Sequence, residues 1–192
     1  MEGEGFASIR SATLIVGDDE RSTTFQLRGD PNVDATQADY VARYDAAVRA
    51  RDLQTRMNRM VGAMGDVNAQ IDGLLEAVEG KDVANEAQIR ETAALAKEAL
   101  NTLEAEVRRP EGSMNYRDWP RLAEQLRFVV RGIEGAQARP TEGQLEVLTE
   151  VETAAAERAQ ELDGIMNGLV DDLNGLLDDA PRIMTDWRRV IS

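Results

Sequence analysis

Carboxylates are the residues of this chain best suited to chemistry, and they occur in adjacent pairs. Asp171-Asp172 and Asp178-Asp179 stand seven residues apart, two turns of a helix, so the pairs share a similar face. A third acidic group, Asp18-Asp19-Glu20, occupies a turn-like stretch. Calcium would want these oxygens wrapped by a glycine-containing loop in the spaced-aspartate EF-hand pattern, which does not occur here. Glycoside hydrolysis would want a sugar-sized cleft between two carboxyls. Helices of heptad pattern fill that space with side chains, so the acidic groups are expected to be solvated surface. The chain has no histidine and no cysteine. That removes the commonest general base, thiol nucleophiles, the usual zinc sites and any disulfide. We therefore assign no catalytic, cofactor-binding or metal-ligating residue, and expect a chain that is not an enzyme.

Charge narrows the partners. With 36 acidic and 22 basic side chains the formal net charge is −14. A nucleic-acid backbone is recognised by a basic patch, and anionic headgroups repel such a chain, so neither is an expected ligand. Met1-Glu2-Gly3-Glu4-Gly5 lacks the charged and apolar regions of a signal peptide. No apolar run approaches the ~18 residues of a membrane span. The sequence reads as soluble and, as written, cytoplasmic.

The elements follow from periodicity. Residues 8–16 and 23–28 alternate as two strands around a turn-like Gly17-Asp18-Asp19-Glu20, with Ala12, Leu14 and Val16 on one face and Phe25 and Leu27 opposite them. A lone two-stranded hairpin is marginal in water, so this one must lie against helices or complete a sheet supplied by something else. Thr36 with Asp39 then caps a helix expected to reach Val78, with Tyr40, Tyr44 and Val48 inward, followed by a seam of Met57, Met60, Met64, Val67, Ile71, Leu74 and Val78. Asn85 with Gln88 opens a second helix striped by Ile89, Ala93, Ala96, Leu100, Leu103 and Val107. Pro120 is expected in the first turn of a third, with Leu122, Leu126, Val129, Val130 and Ile133 inward. Thr141 with Gln144 caps a fourth, striped by Leu145, Leu148, Val151, Ala155, Leu162, Met166, Leu169, Leu173 and Leu176. Gly62, Gly65 and Gly73 either weaken the first helix or admit a close neighbour.

Length decides the packing. The first and last helices are each roughly 55–65 Å, and the middle two, about 36 and 23 Å, sum to one long one. The expected fold is mainly α: an elongated antiparallel bundle of three layers, the middle layer broken into two helices, with an N-terminal β-hairpin. A four-helix bundle with the third helix folded back is the alternative. Three regions follow: a hairpin and junction at 1–33, the helical bundle at 34–180, and an amphipathic tail at 181–192. In that tail Ile183, Trp187, Val190 and Ile191 share a helical face beside Arg182, Arg188 and Arg189. Trp and Arg are favoured interface anchors. The candidate partner contacts are therefore Leu14, Val16, Phe25 and Leu27 in the hairpin, Tyr116 and Trp119 in the loop, and Ile183, Trp187, Arg188 and Arg189 in the tail. The competing reading of the tail is that it packs back over the end of the bundle. Met57, Met60 and Met64 would suit an adaptable groove, but at heptad spacing they are expected in the core.

Trp119-Pro120-Arg121-Leu122-Ala123-Glu124-Gln125-Leu126 and Ala136-Gln137-Ala138-Arg139-Pro140-Thr141-Glu142-Gly143-Gln144 resemble the C-terminal region of bacterial sortilin-like glycosyl hydrolases with BNR-type β-propeller repeats. The hairpin and Asp30-Pro31-Asn32-Val33 look like that family's last strands and Asp-Pro-Arg-Val junction, with Asn32 in place of Arg. The resemblance reaches about Leu177 and does not include the propeller. It implies an accessory helical tail after a larger β-domain, and it carries no catalytic residue to this chain. The tail beyond Pro181 departs from the family ending.

Two functions of different class follow. In the first, the chain is a non-catalytic extrinsic subunit that braces a larger assembly, membrane-embedded assemblies included, through protein contacts. Its only approach to a membrane would be through a partner or the C-terminal tail. In the second, it is the C-terminal accessory fragment of a secreted β-propeller hydrolase-like protein. The first is preferred, because the sequence begins at a methionine.

Overall fold

The computed structural model of the chain describes residues 7–28, 30–81, 83–110, 119–177 and 182–184. Two antiparallel strands come first, β1 (Ala7–Val16) and β2 (Asp19–Arg28), paired from Ala7 opposite Arg28 to Val16 opposite Asp19. Gly17 takes a φ of +61° while Asp18 does not, the pattern of a type II′ turn with glycine at its first central position. Residues directly opposite share a face, so the register puts Ala12, Leu14, Val16 and Phe25 on the same side of the ribbon. That is the alternation expected from the sequence.

The first helix, α1 (Gln37–Val78), is entered through a full capping box. Thr36 Oγ1 accepts from the Asp39 amide, and Asp39 accepts from the Thr36 amide at 2.8 Å. These bonds from Thr36 hold the Asp39 carboxyl below its ordinary pKa, and Arg139 adds to the effect. The buried positions of α1 are Ala46, Ala50, Leu53, Met57, Met60, Met64, Val67, Ile71, Leu74 and Val78, with Ala63 beside them. Their steps alternate four and three throughout, which is the heptad seam of a helix packed along its length. The sequence reading placed Tyr40, Tyr44 and Val48 inward, and this is corrected. Tyr44 is exposed, while Tyr40 and Val48 are half-buried. The seam runs back from Met57 through Leu53, Ala50 and Ala46 instead, because alanine lets a neighbouring helix approach where tyrosine would hold it off.

Two shorter helices cover that seam in sequence. The second helix, α2 (Glu86–Val107), buries Ile89, Ala93, Ala96, Leu100, Leu103 and Val107, all six as expected. It runs antiparallel to α1: Asn68 Nδ2 donates to Asn101 Oδ1 at 2.9 Å, and Lys97 pairs with Asp72. Its N-cap differs from expectation. Asn85 sits in the left-handed region at φ +66° and makes no side-chain cap bond, a conformation asparagine tolerates better than most residues. The third helix, α3 (Leu122–Gly135), starts after Pro120 rather than with it, and buries Leu126, Val129 and Ile133. At its far end Arg43 of α1 donates to the carbonyls of Ile133 and Glu134 at 3.0 and 2.8 Å. A cation there satisfies carbonyls that the helix cannot pair and complements its dipole.

The third helix therefore continues the line of α2 and does not fold back on it. The junction between them is tied by Arg109, whose guanidinium donates to both Glu124 carboxylate oxygens at 2.8 and 3.1 Å. Glu124 also accepts from the Arg121 amide at 3.0 Å, so one carboxylate both caps α3 and binds the end of α2.

The last helix, α4 (Glu142–Ile165), has a Thr141–Gln144 capping box and runs parallel to α1, joined to it by Arg49–Glu152 at 2.7 Å. It buries Leu148, Val151, Ala155 and Leu162. The seam position between Ala155 and Leu162 is held by Arg158, which pairs with Glu106 near the end of α2. A π-helical turn at Met166–Val170 then leads into α5 (Asp171–Gly175). This is an elongated helical bundle with an N-terminal hairpin, and its middle layer is two helices in line.

Gly62, Gly65 and Gly73 of α1 are exposed, and a Cβ on any of them would meet nothing within 4 Å. They admit no close neighbour within this chain, so their effect is to weaken the helix. Replacing each with alanine should raise stability by about 0.5–1 kcal/mol in urea denaturation. The junction gives a pH-dependent test. Arg109 is the main reason that the Glu124 carboxyl lies below the ordinary glutamate value of 4.5. A depressed folded pKa contributes stability above the unfolded value, and that contribution is lost as pH falls through the folded value. Glu124→Gln should cost about 1 kcal/mol at neutral pH, a figure kept small by solvent screening. The gap between variant and parent should close on acidification below 4.5, measured by urea denaturation across the range.

Candidate partner-binding site

The hairpin presents the largest set of unpartnered apolar side chains. Leu14 is 65% exposed, Val16 66% and Phe25 43%, and Ile15 on the opposite face is 67%. Every side chain described from Ala12 to Phe25 is exposed, and no described residue of either strand packs against a helix. Of the two settings expected for the hairpin, lying against helices is thereby corrected. The helices bury their seams against one another, and the described strands make no contact with them. The Leu27 side chain lies outside those described.

In the loop between α2 and α3, Trp119 is 88% exposed, and Tyr116 lies outside the described residues. Phe128 is a further exposed aromatic that sequence reasoning placed nowhere. It borders a shallow furrow with Val129, Gly143 and Val147, where α3 meets the start of α4. Gly132 of α3 makes room there for the end of the Gln144 side chain, which lies 2.6 Å from where a Cβ would stand.

The C-terminal candidates divide. Trp187, Arg188 and Arg189 lie outside the described residues, whereas Ile183 is buried in this chain's own core. Ile183 is thus not a free contact: the stretch at 182–184 packs back over the bundle, the competing reading of the tail. Asn174 holds it there. Its side-chain oxygen accepts from the Ile183 amide at 2.7 Å and its Nδ2 donates to the Ile183 carbonyl at 2.9 Å. One residue on, the Met184 amide donates to Gln70 Oε1 of α1 at 2.8 Å.

Asn174 reaches this position because of the π turn. A π turn takes up one residue more than an α turn, so it rotates everything after it by about one position. The buried residues become Val170, Leu173, Asn174 and Leu177. Leu169 and Leu176, expected inward, are only partly buried against the core. The pairs Leu169-Val170 and Leu176-Leu177 are apolar at both positions, so the sequence allows either register. Asn174 and Gln70 were missed for that reason: an asparagine becomes a core residue only after the shift.

The remaining chemistry-bearing groups stand apart. Asp171 and Asp172 are exposed, as are Asp18, Asp19 and Glu20, while Asp178 and Asp179 lie outside the described residues. Among the described residues no three acidic side chains gather in a way that could hold a metal ion. Met57, Met60 and Met64 are buried in the core, as expected from their spacing. Met57 and Met60 border a small cleft against Ala155, Ala156 and Ala159 of α4. No helix among the described residues is long and apolar enough to cross a membrane.

The Asn174 clasp is open to direct measurement. Asn174→Ala leaves the Ile183 amide and carbonyl buried without partners, which should cost about 1–3 kcal/mol in chemical denaturation. Amide exchange at Ile183 should accelerate together with that loss. Gln70→Ala removes a bond made in solvent and should cost well under about 1 kcal/mol.

Compared with known proteins, the chain matches no protein-family model, no curated protein and no solved structure.

Proposed function

We propose that this chain is a non-catalytic protein-interaction subunit that braces a larger assembly, docking on a partner protein through its N-terminal hairpin. The observation that carries the reading is the contrast between its two parts. The helical bundle covers its own seams, down to the Ile183 plug at its end. The hairpin extends ten residues per strand with Leu14, Val16 and Phe25 in solvent on one face. Two strands alone are marginal in water. Covering those side chains and Ile15 would contribute about 5 kcal/mol of gross apolar burial, enough to matter to a hairpin and to a docking event. Trp119 and the segment beyond Met184, with Trp187, Arg188 and Arg189, offer secondary contacts of the Trp/Arg type that interfaces favour.

The test is isolation of the complex from the native source without cross-linking, for the parent and for a Leu14→Ser, Val16→Ser, Phe25→Ser variant. The parent should co-migrate with a partner at fixed stoichiometry, and the variant should run free. Because the strands do not pack on the helices, the bundle should melt within about 1 °C of the parent, as surface changes usually do. Free monomer in both preparations would overturn the proposal.

A further inference from the structure

The two edges of the hairpin differ in what they offer. A two-residue turn closes on a hydrogen-bonded pair, so Val16 and Asp19 exchange backbone bonds, and every second pair from the turn repeats this. On β1 the alternating residues Ile9, Ser11, Thr13 and Ile15 therefore turn their N–H and C=O groups away from β2. On β2 the outward backbone belongs to Glu20, Ser22, Thr24 and Gln26. Neither outward row pairs with another described strand, and proteins guard such rows with charge.

The guard is uneven. Strand β2 carries four charged residues in ten, Asp19, Glu20, Arg21 and Arg28. Strand β1 carries one, Arg10, and is otherwise Ala, Ser, Thr, Leu, Ile and Val. A second copy of the chain is a poor occupant, since each copy brings a net charge of −14 to the contact. A strand from another protein that carries a single carboxylate and is otherwise uncharged suits the lone arginine of β1 and brings far less like charge than a second copy would. We infer that β1 is the edge to which a partner's extended strand adds, lengthening the ribbon into a sheet by main-chain hydrogen bonds. The added strand also widens the face that holds Leu14, Val16 and Phe25. This inference rests on the docking role of the hairpin and specifies its edge and the form of its partner.

The probe is a synthetic ten-residue strand of alternating Val and Thr with one Glu, and a twin with Lys in its place. Each is titrated into the full chain and followed by amide exchange. The Glu peptide should slow exchange at Ile9, Ser11, Thr13 and Ile15 by about tenfold, and the Lys twin should bind more weakly. Thr13→Pro removes an outward donor without touching a β1–β2 bond, and should weaken binding by about tenfold or more. Thr24→Pro does the same on β2 and should leave binding within about twofold. Thr13→Lys, which guards the edge with charge and leaves the backbone whole, should weaken binding as well. Cross-strand contact between Leu14 and Arg21 checks that each variant keeps its hairpin.

Protection at Ser22, Thr24 and Gln26 would overturn the inference, as would equal loss in the two proline variants or no binding by either peptide. A concentration-dependent dimer in sedimentation would overturn it in favour of a second copy. If the serine variant loses its native partner while Thr13→Pro and Thr13→Lys keep theirs, the edge assignment fails and the docking role stands.

Discussion

The apolar seam of α1 runs unbroken from Ala46 to Val78 and has to be covered along its whole length. A strip of that extent cannot face water, and the bundle is the solution to covering it. One helix of matching length would serve. Here α2 covers the C-terminal half and α3 the N-terminal half, so a break in the middle layer has to be held in line. Arg109 and Glu124 hold it, with both carboxylate oxygens accepting from one guanidinium at the point where the two helices meet. A polar seam residue is tolerated at the same level. Arg158 takes a position on α4 that would otherwise be apolar, and it finds Glu106 at the end of α2. Charges gather where the apolar layer is interrupted, because solvent reaches the break and a desolvated cation elsewhere in the seam would be costly.

The two ends of the bundle are closed by different means. At one end, backbone groups are satisfied by side chains: Thr36 and Asp39 for α1, Thr141 and Gln144 for α4, and Arg43 for the last carbonyls of α3. At the other end, the chain itself returns as a plug, with Ile183 in the core and its backbone read by Asn174. A buried asparagine is stable only with its amide paired, and the returning main chain supplies both a donor and an acceptor. The π turn at Met166–Val170 is what aims it, so a local irregularity in one helix decides how the bundle is closed.

Among the described residues nothing similar closes the hairpin. Its register is set by a two-residue type II′ turn and by the alternation of its own residues, both local properties. The helices meanwhile bury their seams against one another, and the described strands make no contact with them. The paired carboxylates Asp18, Asp19, Asp171 and Asp172 are dispersed over solvated faces, and the ribbon leaves Leu14, Val16 and Phe25 in solvent.

How far the sequence alone determines this molecule depends on the range of the interaction. Heptad spacing specified the six core residues of α2 and the seam of α1 from Met57 onward, because the 3.6-residue turn brings those side chains to one face whatever packs on it. The alternation of the strands and the capping boxes at Thr36 and Thr141 were equally legible, being set within a few residues. The two-residue turn and the start of β2 at Asp19 were not, since the acidic run 18–20 reads as turn by composition. The alanines at 46 and 50 were passed over for Tyr40 and Tyr44, since which of two stripes is buried depends on how near the neighbouring helix comes. The choice between Leu169 and Val170, and with it the burial of Asn174, belongs to tertiary structure for the same reason: both registers are apolar, and only the contact with α2 and the returning chain separates them. The sequence marked Leu14, Val16 and Phe25 as a face that needed covering. Only the folded chain decided that its own helices do not cover it: they bury their seams against one another, and the described strands make no contact with them.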